Sequence, residues 1–115
     1  MAELDIKERQ AGDVTVLDLN GSIRMGEGSA DLRTAIRKLV TGGKKKILLN
    51  LAGVKYIDSS GIGELIASYT TVSKDGGQMK LLSLTEKVRD LLVITKLLTV
   101  FDSYESEAEA LSSFK

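Results

Sequence analysis

The sequence predicts an α/β domain in which a mixed sheet of four to five strands is packed with about four helices. Three observations predict it. Segments with strand-like patterning alternate with amphipathic stretches of helical spacing, an order that builds a helix-covered sheet, parallel in its later part. The first two strand-like segments follow each other across "QAGD" and read as an antiparallel hairpin. A length of 115 residues and a hydrophobic fraction of 43% suit one domain with a core of its own.

The elements follow in order. Leu4 and Ile6 alternate with polar neighbours, and "VTVLDL" (Val14 to Leu19) forms the second arm of the hairpin. A glycine-rich loop, "GSIRMGEGS", comes next. From about Ser29 to Thr41, Leu32, Ile36, Leu39 and Val40 fall at helical spacing, and Gly42-Gly43 supplies the C-cap. "KILLNL" (Lys46 to Leu51) is short and aliphatic on both faces, like a strand covered from both sides. Ile62, Leu65, Ile66 and Tyr69 mark a second helix, ended by Gly76-Gly77. "MKLLSL" (Met79 to Leu84) reads as a strand, Val88, Leu91 and Leu92 as a third helix, "TVFDSY" (Thr99 to Tyr104) as a last strand and "ESEAEALSSF" as a C-terminal helix.

Composition narrows the function. The chain has no histidine and no cysteine, so thiolate or imidazole metal sites, Ser-His-Asp triads and cysteine nucleophiles are impossible within it. The expectation is a protein that is not an enzyme and uses no metal or cofactor. Sixteen basic residues balance sixteen acidic ones, which gives no field for nucleic acid or an acidic membrane. Lys44-Lys45-Lys46 reads as a solvated strand entry. The N-terminus "MAELDIKERQ" lacks the apolar stretch of a signal peptide, and no aliphatic run approaches the ~20 residues needed to span a bilayer. These features predict a cytoplasmic protein without membrane insertion.

The segment "YIDSSGIGEL" (Tyr56 to Leu65) carries the chemistry. It is no dinucleotide fingerprint, because Ile66 holds the third glycine position, and "GGKKK" lacks the rest of a phosphate loop. A phosphoryl-receiver domain needs an adjacent acidic pair for magnesium, and no two acidic residues are adjacent here. Asp58 and the serines suit a helix start, where side-chain oxygens accept bonds from unpaired backbone N–H groups. Gly61 and Gly63 each cost about 1 kcal/mol relative to alanine inside a helix. They leave the backbone bare around the hydroxyls of Ser59 and Ser60, open to close approach by another protein. A phosphate on such a hydroxyl would be stabilised by the helix N-terminus and would bring roughly −1.5 to −2 charges beside Asp58.

The stretch from Lys45 to Leu111, and most strongly from Ile47 to Leu84, resembles the STAS domain of bacterial anti-sigma-factor antagonists, in which a central strand leads through "DSSG" into a helix. The resemblance implies a single STAS domain over residues 1–115, with Ser59 as phosphoacceptor and Asp58, Ser60, Gly61 and Gly63 shaping the docking turn. It implies that the unphosphorylated protein binds an anti-sigma factor that is also a serine kinase, so releasing the sigma factor. Phosphorylation ends that binding, and a metal-dependent serine phosphatase restores it. One departure stands out: Arg24 follows Gly21-Ser22-Ile23 where the family commonly has an acid. Arg24 is either an exposed loop cation or a contact for an acidic partner or a phosphate, and Glu27 is a candidate for the acid's place. Two other readings stay open: a STAS interaction module that is never phosphorylated, as a scaffold or transporter accessory, and a nucleotide-binding domain using the glycine-rich turns.

Overall fold

The computed structural model describes residues 3–115. Five strands form one sheet in the order β1-β2-β3-β4-β5: β1 Leu4–Ala11, β2 Val14–Ile23, β3 Lys46–Ile57, β4 Gln78–Leu82 and β5 Ser103–Tyr104. The β1–β2 hairpin is antiparallel and every later pairing is parallel. Four helices, α1 Glu27–Thr41, α2 Ser59–Lys74, α3 Glu86–Ile94 and α4 Glu107–Ser113, complete the predicted α/β architecture.

The two-residue period of the strands sorts their side chains into two cores. Ile47, Leu49 and Leu51 of β3 join Leu17, Leu19, Met79 and Leu81 under Leu32, Ile36, Leu65, Val88 and Leu92 of helices α1 to α3. Leu48, between them, points to the other face, where Val14, Val16 and Leu82 meet Ala110 and Phe114 at the C-terminal helix. Both faces are covered, as the unbroken aliphatic run requires. Arg9 on the hairpin donates to Asp18 at 2.7 Å and to Glu107 at 2.6 Å, fastening α4 to the sheet. Between α1 and α2, the buried Glu64 carboxylate accepts two bonds from Arg33 at 2.8 and 3.0 Å.

Several predicted boundaries move. "GSIRMGEGS" is not all loop: β2 continues through Ile23 and α1 begins at Glu27, which leaves Arg24, Met25 and Gly26 as the connection. β3 does not stop at Leu51 but runs on to Ile57. The reason is a register shift between the pairs Asp18–Asn50 and Asn20–Gly53, after which the two strands pair again and Val54 and Ile57 turn into the core. The last strand shrinks to Ser103–Tyr104, preceded by a 3₁₀ turn at Leu98–Val100. The glycine pairs do close helices: Gly43 after α1 and Gly76 after α2 hold φ of +83° and +79°, the left-handed conformation that glycine adopts without strain. Two residues of the basic triplet make ion pairs at this edge, Lys45 with Asp75 and Lys46 with Asp13, each at 2.6 Å.

Candidate functional site: the Asp58 turn

Asp58 follows the C-terminal end of β3, the central strand, and α2 starts one residue later. Asp58 is the N-cap, with extended backbone (φ −113°, ψ −175°), and its Oδ1 accepts from the Gly61 N–H at 2.9 Å. Its other oxygen, Oδ2, accepts from the Met25 N–H at 3.2 Å, across from the β2–α1 connection. The Asp58 N–H in turn donates to the Ile23 carbonyl. Through its side chain and backbone, one residue therefore ties the end of β3 to α2, to the end of β2 and to the β2–α1 connection. Partial desolvation opposes its charge, yet donation from the backbone N–H groups of Gly61, Met25 and Ser60 holds the carboxyl below its ordinary value.

The serines and glycines around it separate into two sets. Ser59 is exposed at the first position of α2, Ser60 is half-buried and Gly63 is exposed. A Cβ on Gly63 would meet nothing within 4 Å, so the backbone there is bare, as expected. Gly61 requires a correction. It is buried, and a Cβ in its place would run into the Ile23 carbonyl and lie 2.7 Å from Ile57 Cγ1. Its missing side chain lets α2 pack against the end of β2 and exposes nothing to a partner. Gly28 has the same use at the start of α1, against the Ser22 carbonyl.

Arg24 is exposed but engaged. Its Nε donates to Glu3 at 2.6 Å, and its guanidinium carbon lies 5.2 Å from the centre of the Tyr56 ring. The Glu3 hydrogen bond, with smaller contributions from Tyr56 and Asp58, further favours its charged form. Glu27 is exposed in the first turn of α1 and, among the described residues, forms no ion pair, so it does not join Asp58 and Arg24 in one cluster. Sequence reasoning passed over three neighbours: Met25, 76% exposed; Tyr56, 42% exposed; and Lys87 at the start of α3, whose Nζ lies 5.6 Å from the Tyr56 ring centre. An aromatic just before the "DSSG" stretch was the one local signal.

The site is thus a turn held by the bonds of Asp58, with Ser59 exposed on it. Among the described residues, no group of three or more Asp or Glu side chains is placed to hold a metal ion. The glycine pairs after α1 and α2 lie at helix C-termini, where the dipole repels phosphate, so these two turns are not phosphate sites.

Comparison with known proteins agrees with this geometry. The STAS domain model matches residues 5–110, and the chain belongs to that family. A Thermotoga neapolitana protein named by inference as an anti-sigma factor antagonist is 31% identical over 99 residues, 86% of this chain and 88% of that one. The anti-sigma-B factor antagonist of Bacillus subtilis is 29% identical over 87% of this chain and 82% of its own. The anti-sigma F factor antagonist of Paenibacillus polymyxa is 29% identical over 69 residues, 60% of this chain and 59% of its own. A crystal structure from Thermotoga maritima, also of an inferred anti-sigma factor antagonist, superposes with a TM-score of 0.87 at 26% identity, over 95% of this chain and 93% of that one. Among the described residues no helix is long and apolar enough to cross a membrane.

Proposed function

We propose that this chain is an anti-sigma factor antagonist that works as a switch in the cytoplasm and is not itself an enzyme. Unphosphorylated, it binds an anti-sigma factor that is also a serine kinase, and the sigma factor is released. The kinase then transfers the γ-phosphoryl group of ATP to Ser59: the hydroxyl oxygen bonds to phosphorus, the bond to ADP breaks, and the hydroxyl proton passes to a base on the kinase. A serine phosphatase reverses the modification.

One observation carries the reading. Ser59 is exposed on a turn whose backbone is already fixed by Asp58, beside the open surface at Gly63. A phosphate can be added there without repacking the core, because the residues that build the turn, Gly61 and Asp58, face inward or bond to backbone. A docked partner would then meet a dianion in a desolvated contact. Each 1.4 kcal/mol lost weakens binding tenfold, and an unpaired buried charge costs about 3–5 kcal/mol. The names of the relatives supply the partner class.

The test is direct. Incubation with the purified candidate kinase and ATP, followed by mass spectrometry, is expected to place one phosphate on Ser59 and none on a Ser59→Ala variant. A kinase that binds the chain yet leaves Ser59 unmodified would favour the interaction module that is never phosphorylated.

A further inference from the structure

Tyr56 lies three residues before Ser59, and two cations approach its ring from different elements. Arg24 comes from the β2–α1 connection and Lys87 from the first turn of α3. Met25, bonded through its N–H to Asp58, stands beside Arg24 with most of its surface in solvent. Two exposed apolar side chains, Met25 and Tyr56, thus stand beside two cations, with Tyr56 three residues before Ser59 in the chain. Acids lie near them as well: Asp58 keeps its charge while accepting from backbone N–H groups, and Glu27 and Glu86 sit in the first turns of α1 and α3. Glu3 pairs with Arg24 at 2.6 Å, while Lys87 forms no ion pair among the described residues.

We propose that Arg24 and Lys87 dock this face onto a carboxylate-rich surface of the partner, and that a phosphate on Ser59 dislodges the partner by taking the same two cations. The proposal rests on the switch reading above and adds the chemistry of the contact. Met25 and Tyr56 provide the apolar centre from which water is excluded on docking, and flanking charges of one sign steer and orient an oppositely charged partner. The aromatic ring holds Lys87 only weakly, whereas Arg24 must give up its ion pair with Glu3 to bind a partner's carboxylate. The phosphate has the advantage of being tethered: Ser59 follows Asp58, whose side chain accepts from the N–H of Met25, the neighbour of Arg24, and a dianion on Ser59 competes with Glu3 for a guanidinium that can donate to it bidentately. Phosphorylation on this account does more than repel: it satisfies, within the chain, the charges that the partner needs.

Two measurements test it. With phosphoserine installed at position 59 during synthesis, ³¹P NMR titration reads the second phosphate ionisation without any partner. It is expected to lie at least about half a pH unit lower in the parent than in an Arg24→Gln, Lys87→Gln double variant of equal unfolding midpoint, against an ordinary value near 6. Equal values overturn the capture. With the unmodified chain and the purified anti-sigma factor kinase that labels Ser59, Arg24→Glu with Lys87→Glu is expected to lower affinity at least tenfold, chiefly in the association rate. The difference is expected to fade between about 50 and 500 mM salt, while Lys74→Glu, at the far end of α2, changes little. Unchanged or tighter binding after charge reversal overturns the docking. A kinase that fails to bind even the parent chain overturns the switch reading and the docking with it, while the titration still decides the capture.

Discussion

Two strand-to-helix turns follow the C-terminal ends of the adjacent parallel strands β3 and β4, and they are capped alike but built differently. After β3, Asp58 accepts from the N–H three residues on, that of Gly61, at 2.9 Å; after β4, Thr85 accepts from the corresponding N–H of Val88 at 3.3 Å. The third helical position is buried in both. Val88 fills the core there with its own side chain, whereas Gly61 yields the space to the Ile23 carbonyl. The Thr85 side chain serves only its own helix. Asp58 also ties down the β2–α1 connection through Met25. The lesson is that capping explains the Asp in "DSSG" and close packing explains its glycine, but neither explains an exposed serine at the position between them.

That contrast can be broken in several ways. The largest effect is expected from Gly61→Val, which drives a branched side chain into the Ile23 carbonyl and Ile57; urea denaturation should show a loss of about 3 kcal/mol or more, or no folding. Val88→Ala, at the matching position, should cost about 2 kcal/mol, because it removes packing instead of creating overlap. Equal costs for the two would show that the positions are equivalent after all. Next come the caps: by the same measurement, Asp58→Ala should cost about 1–2 kcal/mol and Thr85→Ala about 1 kcal/mol or less, since only Asp58 satisfies a second element.

A smaller effect separates the turns by pH. The folded-state pKa of Asp58 is lowered, so its charge contributes stability above the unfolded value, ordinarily 3.8, and that contribution is lost as pH falls through the folded value below it. Denaturation midpoints of the parent and Asp58→Asn should therefore converge as the solution is acidified through this window. The shift is modest, because the carboxylate is in contact with solvent. Thr85→Ala should show a difference that does not vary with pH, as no charge is involved.

Much of this turn was legible in the sequence, and the part that was not has a common cause. The helix start at Asp58 and Ser59 could be read because capping is local, spanning the three residues to Gly61. The two core faces could be read from the aliphatic runs. The meaning of Gly61 could not, because the atom that forbids a side chain belongs to Ile23, on another strand. Met25, Tyr56 and Lys87 escaped for the same reason: residues from three parts of the chain meet only once β2, β3 and β4 lie in register. The length of β3 was misjudged because "AGVKYI" is less apolar than "KILLNL", and only pairing with β2 beyond the register shift reveals it as strand.

The central claim is that charge on Ser59 governs association and leaves the fold alone. The most direct measurement compares chains carrying serine and phosphoserine at position 59 by calorimetric titration against the anti-sigma factor kinase, with thermal unfolding run on both. The account predicts at least a tenfold loss of affinity on phosphorylation and unfolding midpoints that agree within a few degrees. Equal affinities, or a phosphorylated chain that has lost its cooperative unfolding, would contradict it.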